Sequence, residues 1–143
     1  MNIRQRVESL CRRHQCRDPF QLCREKNILV LYEPLGSVRG YYSYSYRSKV
    51  IHINQQLDEA QQRFTCAHEL GHAILHPKAN TPFLRANTLF SVSKLEIEAN
   101  RFAVCLLYPQ DWLKREFEGC SSLQVAESLK LPQELADFAL NGK

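Results

Sequence analysis

The stretch Phe64–His76, "FTCAHELGHAILH", decides how the whole chain is read. As a helix it advances about 100° and 1.5 Å per residue, so positions four apart lie nearly above one another. His68 and His72 have that spacing and can aim both imidazoles at one ion. Glu69 sits one residue round from His68, beside the same ion but turned away from the ligands. A carboxylate there can take a proton from a water held at the metal, which is the physical content of the HExxH pattern. At this chain's His and Glu content, roughly 1% of random sequences would contain the pattern, so the match is informative. Gly71, inside the motif, costs a helix about 1 kcal/mol relative to Ala and predicts close approach of another backbone.

His76 continues the spacing, but lies about 12 Å along the axis from His68, too far to share an ion with bonds of about 2 Å. It is assigned to the helix end, capping a carbonyl or orienting a ligand. A catalytic zinc typically takes three protein ligands and leaves one position for water, so a third ligand must come from another element. The second long helix, "SKLEIEANRFAVCLLYP" (93–109), offers Glu96 and Glu98, which point about 200° apart. Glu96 shares a face with Ala99, Ala103, Leu106 and Leu107, and Asn100 stands four residues on. Glu98 falls on the flank with Arg101 and Cys105. Glu96 is therefore the expected ligand, with Asn100 hydrogen-bonding beside the site and Glu98 as the alternative.

Outward from the motif, spacings of three and four predict an amphipathic helix over 3–14. Asp18 and Pro19 cap and open a second helix running to about Lys26. "ILVLY" (28–32) reads as a buried strand, and Pro34 and Gly36 break the chain after it. In "RGYYSYSYRSKVIHIN" (39–54) alternation predicts a strand, a tight connection at "RSK" and a second strand, together a hairpin. The active helix spans about 58–76 and ends at Pro77. Residues 78–93 read as a loop, and the second long helix covers 94–107. Pro109 opens a short helix to Glu116, and two more lie near 122–130 and 133–140. Helices, a small sheet, then helices make an α+β class. The organisation is one domain: N-terminal helices 1–27, a catalytic core 28–109 and C-terminal helices 110–143.

No apolar run approaches the roughly 18 residues that span a bilayer, and "MNIRQRVESLCRRHQC" lacks an apolar core for export, so a cytoplasmic protein is expected. The six cysteines have no CxxC pair and are expected to be reduced. Cys11, Cys16 and Cys23 fit no common zinc knuckle. The formal charge of +4 sits wholly in residues 1–26 and is read as a solvated helix face, with Arg12 and Arg13 candidates for a docking surface. "SSLQVAESLKLPQELADFAL" (121–140) has the outline of a helix-turn-helix. However, residues 120–143 hold only Lys130 and Lys143 against Glu127, Glu134 and Asp137, so direct nucleic-acid binding is not expected.

"HELGHAILH" followed by "EIEANRFAVCLLYP", with the upstream "LYEPLGSVRGYYSYSYRSKVIHIN", resembles the ImmA/IrrE family of metallopeptidases over residues 28–109. The resemblance implies a compact gluzincin (zincin-like) fold with His68, His72 and a glutamate of the second helix on one zinc ion and Glu69 as catalytic base. The family's E-x-x-x-N spacing falls on Glu96 and Asn100. Members typically cleave a helix-turn-helix repressor, which derepresses a mobile element, prophage or stress response. The length suggests the short ImmA-like type, without a C-terminal sensor domain. The competing expectation is a non-proteolytic zinc-containing module that inactivates a repressor by association. His76, His52 and the hairpin tyrosines, Tyr42 and Tyr44 among them, are candidates for contacting substrate or an oxyanion. The tyrosine strand could also take an extended peptide by strand addition.

Overall fold

The computed structural model describes residues 2–81 and 89–142, with side chains in the second segment from Lys94 onward. Helices α1 (Ile3–His14) and α2 (Pro19–Glu25) precede strands β1 (Leu29–Glu33), β2 (Gly40–Ser45) and β3 (Ser48–Asn54). Then come α3 (Glu59–Leu75), α4 (Leu89–Leu107), α5 (Gln110–Glu116), α6 (Ser122–Leu129) and α7 (Gln133–Asn141). The described residues thus form a mixed α+β fold. Three helix starts share one device. Asn2, Asp58 and Ser121 each accept a hydrogen bond from the backbone N–H three residues on, and Gln5, Gln61 and Gln124 return one.

The sheet runs β1-β3-β2, with β2 antiparallel and β1 parallel to the central β3. Tyr46 and Arg47, with φ of 50° and 63°, form the two-residue turn of the hairpin. Alternation places Tyr42, Ile51 and Ile53 inward and fully buried, against α3 and α4. β1 departs from expectation: Leu29, Leu31 and Tyr32 are exposed, and only Ile28 and Val30 turn to the core. β1 is an edge strand with one open face, a position that a continuous apolar run does not distinguish from a sheet centre. α4 also begins at Leu89 rather than 94, because no Pro or Gly interrupts 89–94. Residues 82–88 of the expected loop lie outside the described residues.

Two glycines set the spacing around α3. A Cβ on Gly40 would stand 2.5 Å from the His52 carbonyl oxygen and 2.6 Å from the Thr65 methyl, so β2 lies on α3 only without a side chain there. A Cβ on Gly71 would meet Phe102 Cβ at 3.0 Å and the Ala99 Cα and oxygen at 3.2 Å. The backbones of α3 and α4 are therefore in contact at Gly71, as its place in the motif predicts.

The basic N-terminus is not simply a solvated face. Arg4 donates to the Ala139 carbonyl at 2.9 Å, Arg6 to Ile74 at 3.4 Å, and Arg17 to Cys105 at 2.7 Å and Leu106 at 3.1 Å. Each arginine meets carbonyls in the last turn of α7, α3 or α4, which are unsatisfied within the helix and carry the negative end of its dipole. Arg17 also grips Glu8 through both terminal nitrogens. Arg12 and Arg13 remain exposed. A second apolar cluster, Val104, Leu113, Val125, Ala126, Ala136 and Ala139, packs α5–α7 against α4, so the C-terminal helices cover the core.

Candidate metal centre

α3 and α4 bring four side chains of the two motifs to one point. His68 Nε2 lies 2.9 Å from Glu96 Oε2, and His72 Nε2 lies 3.0 Å from Glu96 Oε1. The two imidazoles stand edge to face, at 81° and 5.0 Å between centroids, so both turn the same nitrogen toward one carboxylate. The far nitrogens are engaged elsewhere. His68 Nδ1–H donates to Asn100 Oδ1 at 2.8 Å, and the Nδ1 atoms of His72 and His76 share a hydrogen bond at 3.1 Å. His76 Nε2–H in turn donates to Glu98 Oε1 at 2.8 Å. With each Nδ1 engaged elsewhere, Nε2 is the ring atom that each imidazole would offer a metal in place of the proton it gives to Glu96. Glu69, 2% exposed, sets Oε2 at 3.8 Å from His68 Nε2.

Burial and pairing pull against each other here. Burial alone would raise the Glu96 carboxyl, but hydrogen bonds from His68 and His72 outweigh it and hold the group well below the usual carboxylate range. Burial would likewise lower His68, yet Glu96, the charge of Glu69 and Asn100 raise it. For His72 burial prevails, and its proton affinity falls.

The arrangement suits a divalent metal. Two imidazole nitrogens and a carboxylate are a zinc donor set. Ligand atoms in a tetrahedral zinc site with bonds of about 2.0–2.1 Å stand about 3.3 Å apart, so the donors need spread by only a few tenths of an ångström. Potential ligand atoms of His68, Glu69 and His72 all lie within 4.8 Å of one another, the one such group among the described residues. A cleft of about 350 Å³ opens over it, lined by Ser37–Gly40 ahead of and at the start of β2, by Phe64, Thr65, His68 and Glu69 of α3, and by Glu96 and Asn100 of α4.

Other candidates fall elsewhere. His76 and Glu98 stand behind His72 as a relay rather than in the cleft. Tyr42 is fully buried, its hydroxyl donating to the Pro77 carbonyl, and Tyr44 packs on the same core, so neither lines the cleft. Alternation separates the tyrosines into two faces but does not say which face the core takes. His52 is on the opposite sheet face, stacked on Tyr41 and bonded to Glu33 and, at 3.0 Å, to Ser43. All six cysteines are free thiols, and they form no metal-binding group among the described residues. Sequence reasoning missed Arg39 and Gly40 as cleft wall, and missed Asn80 and Thr81, whose side chains bond the β2 backbone. The glycine opening an alternating strand was the available signal for the wall; nothing local marks the other two.

Comparison with known proteins shows the family to which the chain belongs. The family model of the IrrE N-terminal-like domain, a peptidase family, matches residues 23–141. The uncharacterized immunity region protein 2 of Bacillus phage phi105 is 42% identical over 137 residues, covering 94% of this chain and 86% of its own length. Metallopeptidase ImmA of Bacillus subtilis (strain 168) is 29% identical over 144 residues, covering 97% and 84%. No helix among the described residues is long and apolar enough to cross a membrane.

Proposed function

The chain belongs to the IrrE N-terminal-like domain family of peptidases, and on that premise we propose that it is a cytoplasmic zinc-dependent endopeptidase of gluzincin type. His68, His72 and Glu96 hold the metal, Glu69 is the general base, and one domain carries the whole activity. The observation that carries this is the meeting of both Nε2 atoms on Glu96, with buried Glu69 alongside. Bound there, zinc supplies a Lewis acid that lowers the pKa of a water and polarises a carbonyl. Glu69 accepts the proton of the attacking water and delivers it to the leaving amine. Its enclosure keeps bulk water from competing for that proton. Asn100 fixes the ring of His68 through Nδ1, and His76 does the same for His72.

The substrate proposed is a helix-turn-helix repressor of a mobile element, prophage or stress response. Support comes from the two relatives, one named for a phage immunity region and one a metallopeptidase. The test is incubation of the zinc-loaded protein with a candidate helix-turn-helix repressor, followed by mass spectrometry of the products. The wild type is expected to give two fragments from one cut, and Glu69→Gln to keep its zinc and give none. A Glu69→Gln protein that releases the repressor from its operator as well as the wild type does would replace cleavage with inactivation by association.

A further inference from the structure

We propose that the substrate main chain pairs with β2 at Gly40 alone, because Asn80 and Thr81 hold the rest of that edge. The protein then accepts a short extended segment presented as a loop of a folded protein, not a long unfolded strand. This rests on the endopeptidase function proposed above and narrows its substrate class.

β2 is an edge strand, and in its antiparallel pairing with β3 alternate residues turn their N–H and C=O away from the partner. Those residues are Gly40, Tyr42 and Tyr44. The Tyr42 N–H donates to the Thr81 hydroxyl at 3.0 Å, and that hydroxyl donates to the Tyr42 carbonyl at 3.2 Å. The Tyr44 N–H donates to Asn80 Oδ1 at 2.8 Å, and Asn80 Nδ2 donates to the Tyr44 carbonyl at 3.2 Å. Two successive side chains thus reproduce the hydrogen bonds of a fourth strand. They are well anchored. Thr81 is 2% exposed, the Ala79 N–H donates to the His76 carbonyl at 3.0 Å, and the Tyr42 hydroxyl holds Pro77.

Upstream the edge closes again. Val38, the preceding residue of the same parity, donates its N–H to the Leu35 carbonyl at 3.1 Å and its carbonyl accepts from Asn54 Nδ2 at 3.0 Å, while the Arg39 carbonyl faces β3 and accepts from the Asn54 N–H at 2.8 Å. Between these two closures only Gly40 turns an N–H and C=O outward without a partner among the described residues. It does so in the wall of the cleft that holds His68, Glu69 and Glu96. An extended peptide there gains two main-chain hydrogen bonds at one residue and must then turn away, since Asn80 and Thr81 fill the next positions.

The test is site-resolved hydrogen–deuterium exchange by NMR on zinc-loaded wild-type protein, with and without acetyl-tetraalanine hydroxamate. This probe is an extended peptide ending in a zinc chelator. The Gly40 amide is expected to slow at least tenfold on binding, while the Tyr42 and Tyr44 amides, slow in both states, change less than twofold. Bound hydroxamate that leaves Gly40 unchanged, or that alters Tyr42 and Tyr44, overturns the edge assignment while sparing the peptidase. A probe that leaves the His68 and His72 ring signals unmoved has not bound; it refutes the peptidase function and this proposal with it. Independently, Asn80→Ala with Thr81→Ala is expected to raise kcat/KM on unfolded carboxymethylated casein about tenfold, and Thr81→Ser to keep the wild-type value. A double variant no faster than wild type counts against the strap.

Discussion

Replacing Gly71 with alanine adds one methyl group where α3 and α4 touch. In an open helix the change stabilises by about 1 kcal/mol through propensity. Here the new Cβ meets Phe102 Cβ at 3.0 Å and the Ala99 backbone at 3.2 Å, and backbone gives way poorly. Ordinary contact needs about 3.5–4.0 Å, so α4 must retreat by roughly half an ångström. Overpacking of this kind costs about 1–3 kcal/mol, leaving a net loss of about 0–2 kcal/mol. The functional effect is larger, because Glu96 lies three residues before Ala99 on the helix that moves. Metal sites tolerate shifts of about 0.2 Å in ligand distance. Gly71→Ala is therefore expected to weaken zinc about 10- to 100-fold in competition with a fluorescent chelator, with the melting temperature of the metal-free protein falling by no more than a few degrees. Zinc affinity within twofold of wild type, together with a raised melting temperature, would refute the claim that this glycine sets the distance between the ligand helices.

His76→Ala or Glu98→Gln, which cut the relay behind His72, are expected to weaken zinc by about 10- to 100-fold without removing a ligand; chelator competition decides, and unchanged affinity in both would discard the relay. Burial, with Tyr44 nearby, pushes the Tyr42 hydroxyl up to about 12. The folded chain keeps that proton between about pH 10 and 12 while the unfolded chain loses it, so stability falls as pH rises, by about 2–3 kcal/mol over the window. Urea titrations at intervals from pH 9 to 12 should show a shallower fall in Tyr42→Phe; parallel slopes would contradict the burial argument. Arg17→Ala removes donors from the Cys105 and Leu106 carbonyls and is expected to cost about 2 kcal/mol in urea unfolding. A loss below about 0.5 kcal/mol would return that arginine to the class of surface charges.

What the sequence disclosed is what local periodicity encodes. The 3.6-residue repeat placed His68, Glu69 and His72 on one helix, and the same arithmetic on α4 singled out Glu96, the carboxylate that meets both imidazoles. Gly71 was legible because a glycine inside a helix needs a reason, and contact with Ala99 supplies one. The illegible features depend on partners far along the chain. β1 reads as buried because an apolar run carries no record of whether a second neighbour strand exists. Arg4, Arg6 and Arg17 read as solvated because the helix ends they cap lie 68 to 138 residues away. Asn80 and Thr81 look like ordinary loop residues, since nothing local marks a side chain that stands in for a strand. Tyr42 and Tyr44 read as candidates for substrate contact because alternation in a strand beside the active helix does not say which sheet face becomes core, and the position of α3 decides that.

Zinc content, measured by inductively coupled plasma mass spectrometry on wild-type, Glu96→Ala and Glu98→Ala proteins purified in parallel, tests the central claim most directly. One zinc per chain is expected in the wild type, near zero in Glu96→Ala, and a substantial fraction in Glu98→Ala. Folded wild-type protein without zinc after metal is supplied would contradict the proposed centre. Zinc kept in Glu96→Ala and lost in Glu98→Ala would contradict the assignment of its third ligand.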